Sequence, residues 1–439
     1  MTLASLTLTA RPVVPPSRLD GLPVAIIGAG PVGLAAAAQL LERGIDAVVY
    51  ESGAQAGSAV ALWAHTRLFT PWQYLVDSAA ARLLERSGWS MPDEAYLPTG
   101  HELLERYLLP LANLPELAGS IRYGSTVLAV SRQGMDRTRS GDRAGTPFLL
   151  RVQTDAEVSD VHARAVIDTS GTYSTPNGLL ASGLDSAHLD ALLGHIVHAL
   201  PDVLGADRAR FAGRHTLVVG AGHSAANTLI ALGALAESEP GTRISWAIRS
   251  ATPVRVYGSA DDELAARASL GAQVQHLVRS EVVTLIDRFD IDDVLPTADG
   301  VTVTGLRGGE RFTVHADMVV TATGFRPDLA PLREIRLSLD EIVEAPRALA
   351  PLIDPNLHSC GTVPPHGVVE LTHPEPNFYI AGMKSFGRAP TFLLATGYEQ
   401  VRSIADELAG NVAAARLVQL VLPETGVCST GDDDGSCCS

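Results

Sequence analysis

The chain has 439 residues, 46% of them hydrophobic and 19% charged, with 33 Lys+Arg against 49 Asp+Glu and a formal charge of -16 at pH 7. That is enough for about two to four folded domains and excludes bulk disorder. The acidic balance argues against nucleic acid and anionic membranes as partners, and no apolar run reaches the roughly 18–20 residues of a membrane span, so a soluble cytoplasmic protein is expected.

The first residues hold several prolines and an arginine where a secretion signal has a continuous apolar run. Val24 to Ile27 reads as a strand buried on both faces of a parallel sheet. Gly28-x-Gly30-x-x-Gly33 follows at dinucleotide-binding spacing. Its glycines permit a tight turn, close approach of a pyrophosphate and close helix–strand packing, and Pro31 and Val32 open the helix whose N–H groups and dipole favour phosphate. Ala47 to Tyr50 is the second strand and ends at Glu51, a carboxylate suited to ribose hydroxyls and hostile to a 2′-phosphate. Ser131 to Gly145 is charged and Gly-rich and reads as an exposed hairpin. Val166 to Gly171 is a strand running into a Gly turn.

The pattern then recurs. Thr216 to Val219 is a strand, Gly220-x-Gly222-x-x-Ala225 is the turn, Ser224 to Leu235 is helical, and Ile244 to Ile248 is the next strand. Arg249 stands where the first unit has an acid. A guanidinium there pairs with a 2′-phosphate, which points to NADPH. His223, at the start of this helix, is either a cofactor contact or a capping residue. Met318 to Gly324 is another strand ending on glycine. Strand–helix alternation is then lost until Asn377 to Gly382, and Tyr398 to Leu408 is helical. Three of the four cysteines, Cys428, Cys437 and Cys438, fall in the last twelve residues, in a polar stretch that reads as a mobile tail. Thiolates so placed favour soft ions such as Hg(II), Cu(I) or trivalent arsenic.

With one acid-bearing and one arginine-bearing turn, the chain resembles the flavoproteins with two dinucleotide-binding domains, the group of thioredoxin-reductase-like enzymes and flavin-containing monooxygenases. The resemblance covers residues 22–415. It implies FAD on the first turn, NADPH on the second, and an α/β architecture of two Rossmann-like domains with the second inserted in the first. The expected segments are 1–205 and 329–422 for FAD, 206–328 for NADPH, and 423–439 for the tail. Ala322-Thr323-Gly324 looks like the family's strand end linking the two domains. Trp63 resembles the tryptophan beside the flavin, with Arg67 and Trp72 near it, and Val127 joins the cofactor-binding set. Gly382 is followed by Met383 where many relatives carry Asp. The segment from Gly382 to Phe392 is therefore expected to bind the flavin through its backbone and to lend a cation to the reduced ring.

Disulfide reductases of the group use a cysteine pair at the flavin, and residues 1–427 contain none. The monooxygenase branch is similar in Gly194-x-x-x-His198, although Ala199 departs from its pattern. The chain also looks like the flavoprotein monooxygenases of arsenic-resistance operons. The leading expectation is an FAD- and NADPH-dependent monooxygenase that oxygenates a small soft nucleophile. The alternatives are a reductase passing electrons through the tail cysteines to a thiol-bound metal or metalloid, and a non-enzymatic flavin or metalloid sensor. Relatives are often dimers, so the resemblance implies a homodimer.

Overall fold

The computed structural model describes residues 17–257, 265–354, 363–390 and 392–420. β1 (Val24–Ile27) leads through the first glycine turn into α1 (Pro31–Glu42) and then β2 (Ala47–Tyr50). Pro31 sits at the first helical position, where its missing N–H is not needed. The helix buries Val32 through Leu40, and Leu34 and Leu40, both 0% exposed, contribute roughly 1.5–3 kcal/mol each. Helical connections including α2 (Ser78–Arg86) precede the short β3 (Ile121–Arg122). An antiparallel meander of β4 (Thr126–Arg132), β5 (Phe148–Gln153) and β6 (Val158–Ala163) leads to β7 (Ala165–Asp168).

The second unit comprises β8 (Ile196–His198), β9 (His215–Val219), α3 (His223–Ser238), β10 (Arg243–Ala247) and β11 (Val283–Ile286). A second meander, β12 (Phe289–Pro296), β13 (Val301–Arg307) and β14 (Glu310–Ala316), precedes β15 (Met318–Thr321). The chain returns through β16 (Phe378–Ile380) and α4 (Leu394–Leu408).

Two five-stranded sheets result, in the orders β16-β7-β1-β2-β3 and β11-β10-β9-β15-β8. Every pairing within them is parallel. Because β16 pairs with β7, the whole second sheet is inserted between two neighbouring strands of the first. Parallel strands covered by helices are buried on both sides, as the fully buried Ala165–Asp168 illustrates.

Two crossing segments join the units, and they hold each other. Pro176 bridges Phe325 in an antiparallel sense, Asn177 N–H donates to Gly324 O (2.9 Å), and Arg326 N–H to Thr175 O (3.0 Å). The Asn177 amide donates to Thr323 O (3.1 Å), the Thr323 hydroxyl donates to Asn177 O (2.9 Å), and the Tyr173 and Phe325 rings stack at 5.1 Å.

Three differences from the sequence reading stand out. β8 pairs with β15, so the chain has crossed to the second sheet before residue 205, the expected end of its first segment. The charged hairpin at 131–145 is not simply exposed. Arg132 and Arg143 fold inward onto Glu375, at 2.8 Å each, with side chains no more than 4% exposed. Neither meander was anticipated as such; the alternation Val301-Thr302-Val303-Thr304 and the Gly308-Gly309 turn were its visible marks in β13–β14.

Candidate functional site

Both glycine turns lie at the C-terminal ends of parallel strands, the edge where open α/β sheets bind ligands. At the first, Gly28 has φ +96°, a conformation L side chains rarely adopt, and a Cβ there would stand 3.1 Å from Thr169 O. A Cβ on Gly33 would come within 1.9 Å of Gly28 O, so helix and turn meet without room for a methyl group. Gly30 faces open space, and no side chain caps α1. Uncapped first-turn N–H groups behind an unobstructed glycine form a cradle for a phosphate.

Glu51 is 7% exposed. Its Oε2 accepts from Ala29 N–H (2.7 Å) and its Oε1 from Gly53 N–H (2.8 Å). The carboxylate thus closes the turn on itself, and each oxygen keeps a lone pair for a further donor. Trp63 is half-buried and lies against Gly100, where a Cβ would be 2.9 Å from its ring. The Arg67 guanidinium donates to Leu97 O and Tyr96 Oη and lies 5.6 Å from the Tyr96 ring centroid. Trp72 is a core residue at 0% exposure, and Val127 packs among buried residues of the first meander.

The returning segment closes over this cradle. A Cβ on Gly382 would meet Val32 at 3.2 Å, and one on Gly397, in the first turn of α4, would meet it at 2.6 Å. The turn after β16, the first turn of α1 and the first turn of α4 therefore converge. Met383 is half-buried. Lys384 is 3% exposed, and its Nζ donates to Asp168 Oδ2 (2.7 Å) and Ser170 Oγ (3.0 Å). Arg388 pairs with Glu344 at 2.6 Å. Both basic residues of this segment are matched by carboxylates; for Lys384 the partner is required, because a buried ammonium without one would be costly. Thr391, in the same segment, lies outside the described residues.

At the second turn Gly220 has φ +128°, and a Cβ there would stand 2.1 Å from Ala322 O. The turn is thereby pressed onto the end of β15, and Trp246 Nε1 donates to Gly220 O at 2.8 Å to hold it. Gly222 faces open space and α3 has no side-chain cap, so the second cradle repeats the first. His223 and Ser224, half-buried, begin the helix; the His223 ring lies 5.2 Å from Phe69, which belongs to the other unit. Arg249 is exposed, and among the described residues no side chain pairs with it. Gly324 sits in the crossing segment, where a Cβ would come 3.3 Å from the Asn177 amide. His198 is tied to Thr321 Oγ1 at 2.9 Å, an edge-strand contact rather than a part of either cradle.

Cys428, Cys437 and Cys438 lie outside the described residues, as does Cys360. Among the described residues no group of three His, Cys, Asp or Glu is placed to hold a metal, and no helix is long and apolar enough to cross a membrane. The sequence did not single out Asp168, His366 or Gln400, which brace the Gly382 turn. Their partners are remote in the chain, so only the presence of a lysine in the Gly-rich segment hinted that an acid must face it.

Comparison with known proteins agrees with this geometry. The family model for pyridine nucleotide-disulphide oxidoreductases matches residues 25–359. A flavin-containing monooxygenase of Arabidopsis thaliana, FMO GS-OX-like 10, is 28% identical over 183 residues, 37% of this chain and 39% of that protein. The match thus spans about two fifths of the relative's length. The bacillithiol disulfide reductase of Bacillus cereus shares the fold with a TM-score of 0.66 at 19% identity, over 89% of this chain and 99% of its own. DfoA of Erwinia amylovora, an FAD-bound cadaverine monooxygenase, does so with a TM-score of 0.62 at 14% identity, over 94% of this chain and 99% of its own. With two glycine cradles in the order the fold requires and the family model spanning both, the chain is an oxidoreductase that belongs to the pyridine nucleotide-disulphide oxidoreductase family.

Proposed function

We propose that the chain is an FAD- and NADPH-dependent monooxygenase that oxygenates a small soft nucleophile. The observation that carries this reading is the asymmetry of the cradles: Glu51 is buried at the first, and Arg249 is exposed and unpaired among the described residues at the second. A carboxylate beside the first turn suits the unphosphorylated ribose of FAD, and a free guanidinium beside the second suits the 2′-phosphate of NADPH. The uncapped helix ends at Gly30 and Gly222 would hold the pyrophosphates. Bound flavin supplies hydride acceptance and oxygen activation. The protein's part is orientation and exclusion of water. Gly382, Val32 and Gly397 close over the first cradle, and the Lys384–Asp168 pair adds no net charge there.

The absence of any redox cysteine pair from residues 1–427 favours oxygenation over direct disulfide reduction. The clustered Cys428, Cys437 and Cys438 make a trivalent arsenical the first substrate to test, as a ligand delivered by thiolates. They equally support a second reading, in which electrons leave through those thiols to a bound metal or metalloid or to a protein partner. The test is stoichiometry with arsenite: one oxygen consumed and one arsenate formed per NADPH supports oxygenation. With Hg(II) in place of arsenite as a two-electron acceptor, NADPH oxidation that proceeds without oxygen and stops when Cys437 and Cys438 become Ser supports the reductase. No NADPH oxidation with any substrate would overturn both and leave a sensor.

A further inference from the structure

The Gly382 turn is held from behind by a closed ring of hydrogen bonds. Gly382 N–H donates to Gln400 Oε1 at 2.8 Å. The Gln400 amide donates to Ser385 Oγ at 2.9 Å and meets His366 Nε2 at 2.8 Å. Ser385 Oγ in turn donates to Gly382 O at 2.8 Å, and His366 Nδ1 lies 3.0 Å from Pro364 O. Gln400 and Ser385 are 0% exposed and His366 is 1% exposed, so water does not take the place of any partner.

This ring admits one assignment of protons. A carbonyl only accepts, so His366 Nδ1 carries a hydrogen toward Pro364 O. In the neutral ring Nε2 is then a bare acceptor and takes an N–H from Gln400. That fixes the Gln400 amide with its oxygen toward Gly382. Turning the amide over would set its NH2 against Gly382 N–H, donor against donor.

We propose that His366 and Gln400 are positioning residues for the flavin, with neutral His366 locking Gln400 so that it holds the Gly382 turn against the first cradle. The inference rests on the FAD assignment made above. Protonation of His366 would place Nε2–H opposite the Gln400 NH2. Either that contact is lost, or the amide turns and the Gly382 N–H is lost. Burial is the main influence holding His366 below the ordinary histidine value, opposed by Pro364 O and by the charges of Glu370 and Glu399. Glu370 is occupied by Gly367 N–H (3.0 Å), and Glu399 is paired with Arg402 on α4 (2.6 Å). Phe386 covers the imidazole with its ring 5.8 Å away. A histidine with a depressed value in the assembled site binds fewer protons there than when the site opens. The grip is therefore complete at neutral pH and fails as the pH falls through the acid range.

The test is FAD release from the holoprotein on dilution, followed by flavin fluorescence from about pH 8 to about pH 5. Wild type should release FAD on the order of tenfold more readily at the acid end. His366→Gln, which can accept from Gln400 without titrating, should match wild type at neutral pH and lose the acid dependence. His366→Phe and Gln400→Leu should bind FAD on the order of tenfold more weakly across the whole range. A His366→Gln protein with the wild-type pH slope, or a His366→Phe protein with wild-type affinity, overturns the proposal. If His366→Phe does not fold, the His366→Gln slope decides alone. A wild-type protein that binds no FAD at any pH overturns the cofactor reading and this one with it, whereas FAD bound with equal strength at all pH values overturns this one only.

Discussion

The two glycine cradles are built alike and finished differently. Each has an extended strand, a glycine at positive φ pressed onto a neighbouring strand end, an open second glycine and an uncapped helix. At the first, the polar group beyond the second strand is buried and already bonded to two loop amides. At the second, that group is an exposed guanidinium, with nothing bonded to it among the described residues. The first is also roofed by Gly382 and Gly397, both packed on Val32. On the proposed assignment, a ligand in the first cradle lies under the returning segment, and one in the second meets a guanidinium open to solvent. The same turn geometry thus suits a resident cofactor in one place and an exchanging one in the other.

The sharpest way to break this comparison is at the helix–turn contacts. Gly33→Ala should cost about 3 kcal/mol or more, because its methyl would meet Gly28 O at 1.9 Å, and the protein should be recovered without flavin. The second turn already carries an alanine at the matching place, so Ala225→Gly should cost only about 1 kcal/mol. Thermal melts and flavin absorbance per chain measure both. Arg249→Ala should raise KM for NADPH on the order of 10–100-fold and leave KM for NADH nearly unchanged. Equal losses with the two nucleotides would remove the phosphate contact from the second cradle. Glu51→Gln sets an NH2 group against a backbone N–H and should destabilise the protein by about 1–2 kcal/mol, read from denaturant midpoints.

The least conspicuous effect concerns what lies behind the helices. Beside α1, Gln39 donates to Asp77 at 2.8 Å, and burial pushes the Asp77 carboxyl up to about 6. The buried residues of α3 include no carboxylate. Between the ordinary aspartate value of 3.8 and about 6 the folded chain holds a proton that the unfolded chain has lost. Stability from this group is present at the acid end and declines as the pH rises through that window. The difference in melting temperature between wild type and Asp77→Asn should carry that slope; a difference flat with pH would mean that Asp77 stays ionised.

The cradles were legible because each is local. Strand, turn, helix and second strand run from Val24 to Tyr50 and from His215 to Ala247, and glycine spacing with apolar runs marks them directly. What surrounds them was not legible. The segment from Gly382 to Phe392 showed its basic residues but not the partner of Lys384, because Asp168 lies on another strand of the sheet. Arg132 and Arg143 looked like surface charge because Glu375 approaches from the returning segment. Arg67 was placed near the flavin by resemblance, while the fold turns its guanidinium toward Tyr96 and Leu97. In each case the charge was visible in the sequence, and its energetic state is set by a partner that the sequence does not point to.

The two crossing segments have a consequence for how such a chain can be rebuilt. Where Pro176 meets Phe325, the way out to the second sheet and the way back lie side by side. A loop of a few residues joining the chain near Asn177 to the chain near Thr323 would excise the intervening fold without stretching what remains, since surface-adjacent ends tolerate such surgery. The graft can run the other way as well: a foreign nucleotide module with neighbouring termini could be spliced into the same gap, and the flavin half would meet it through a seam of only a handful of backbone contacts.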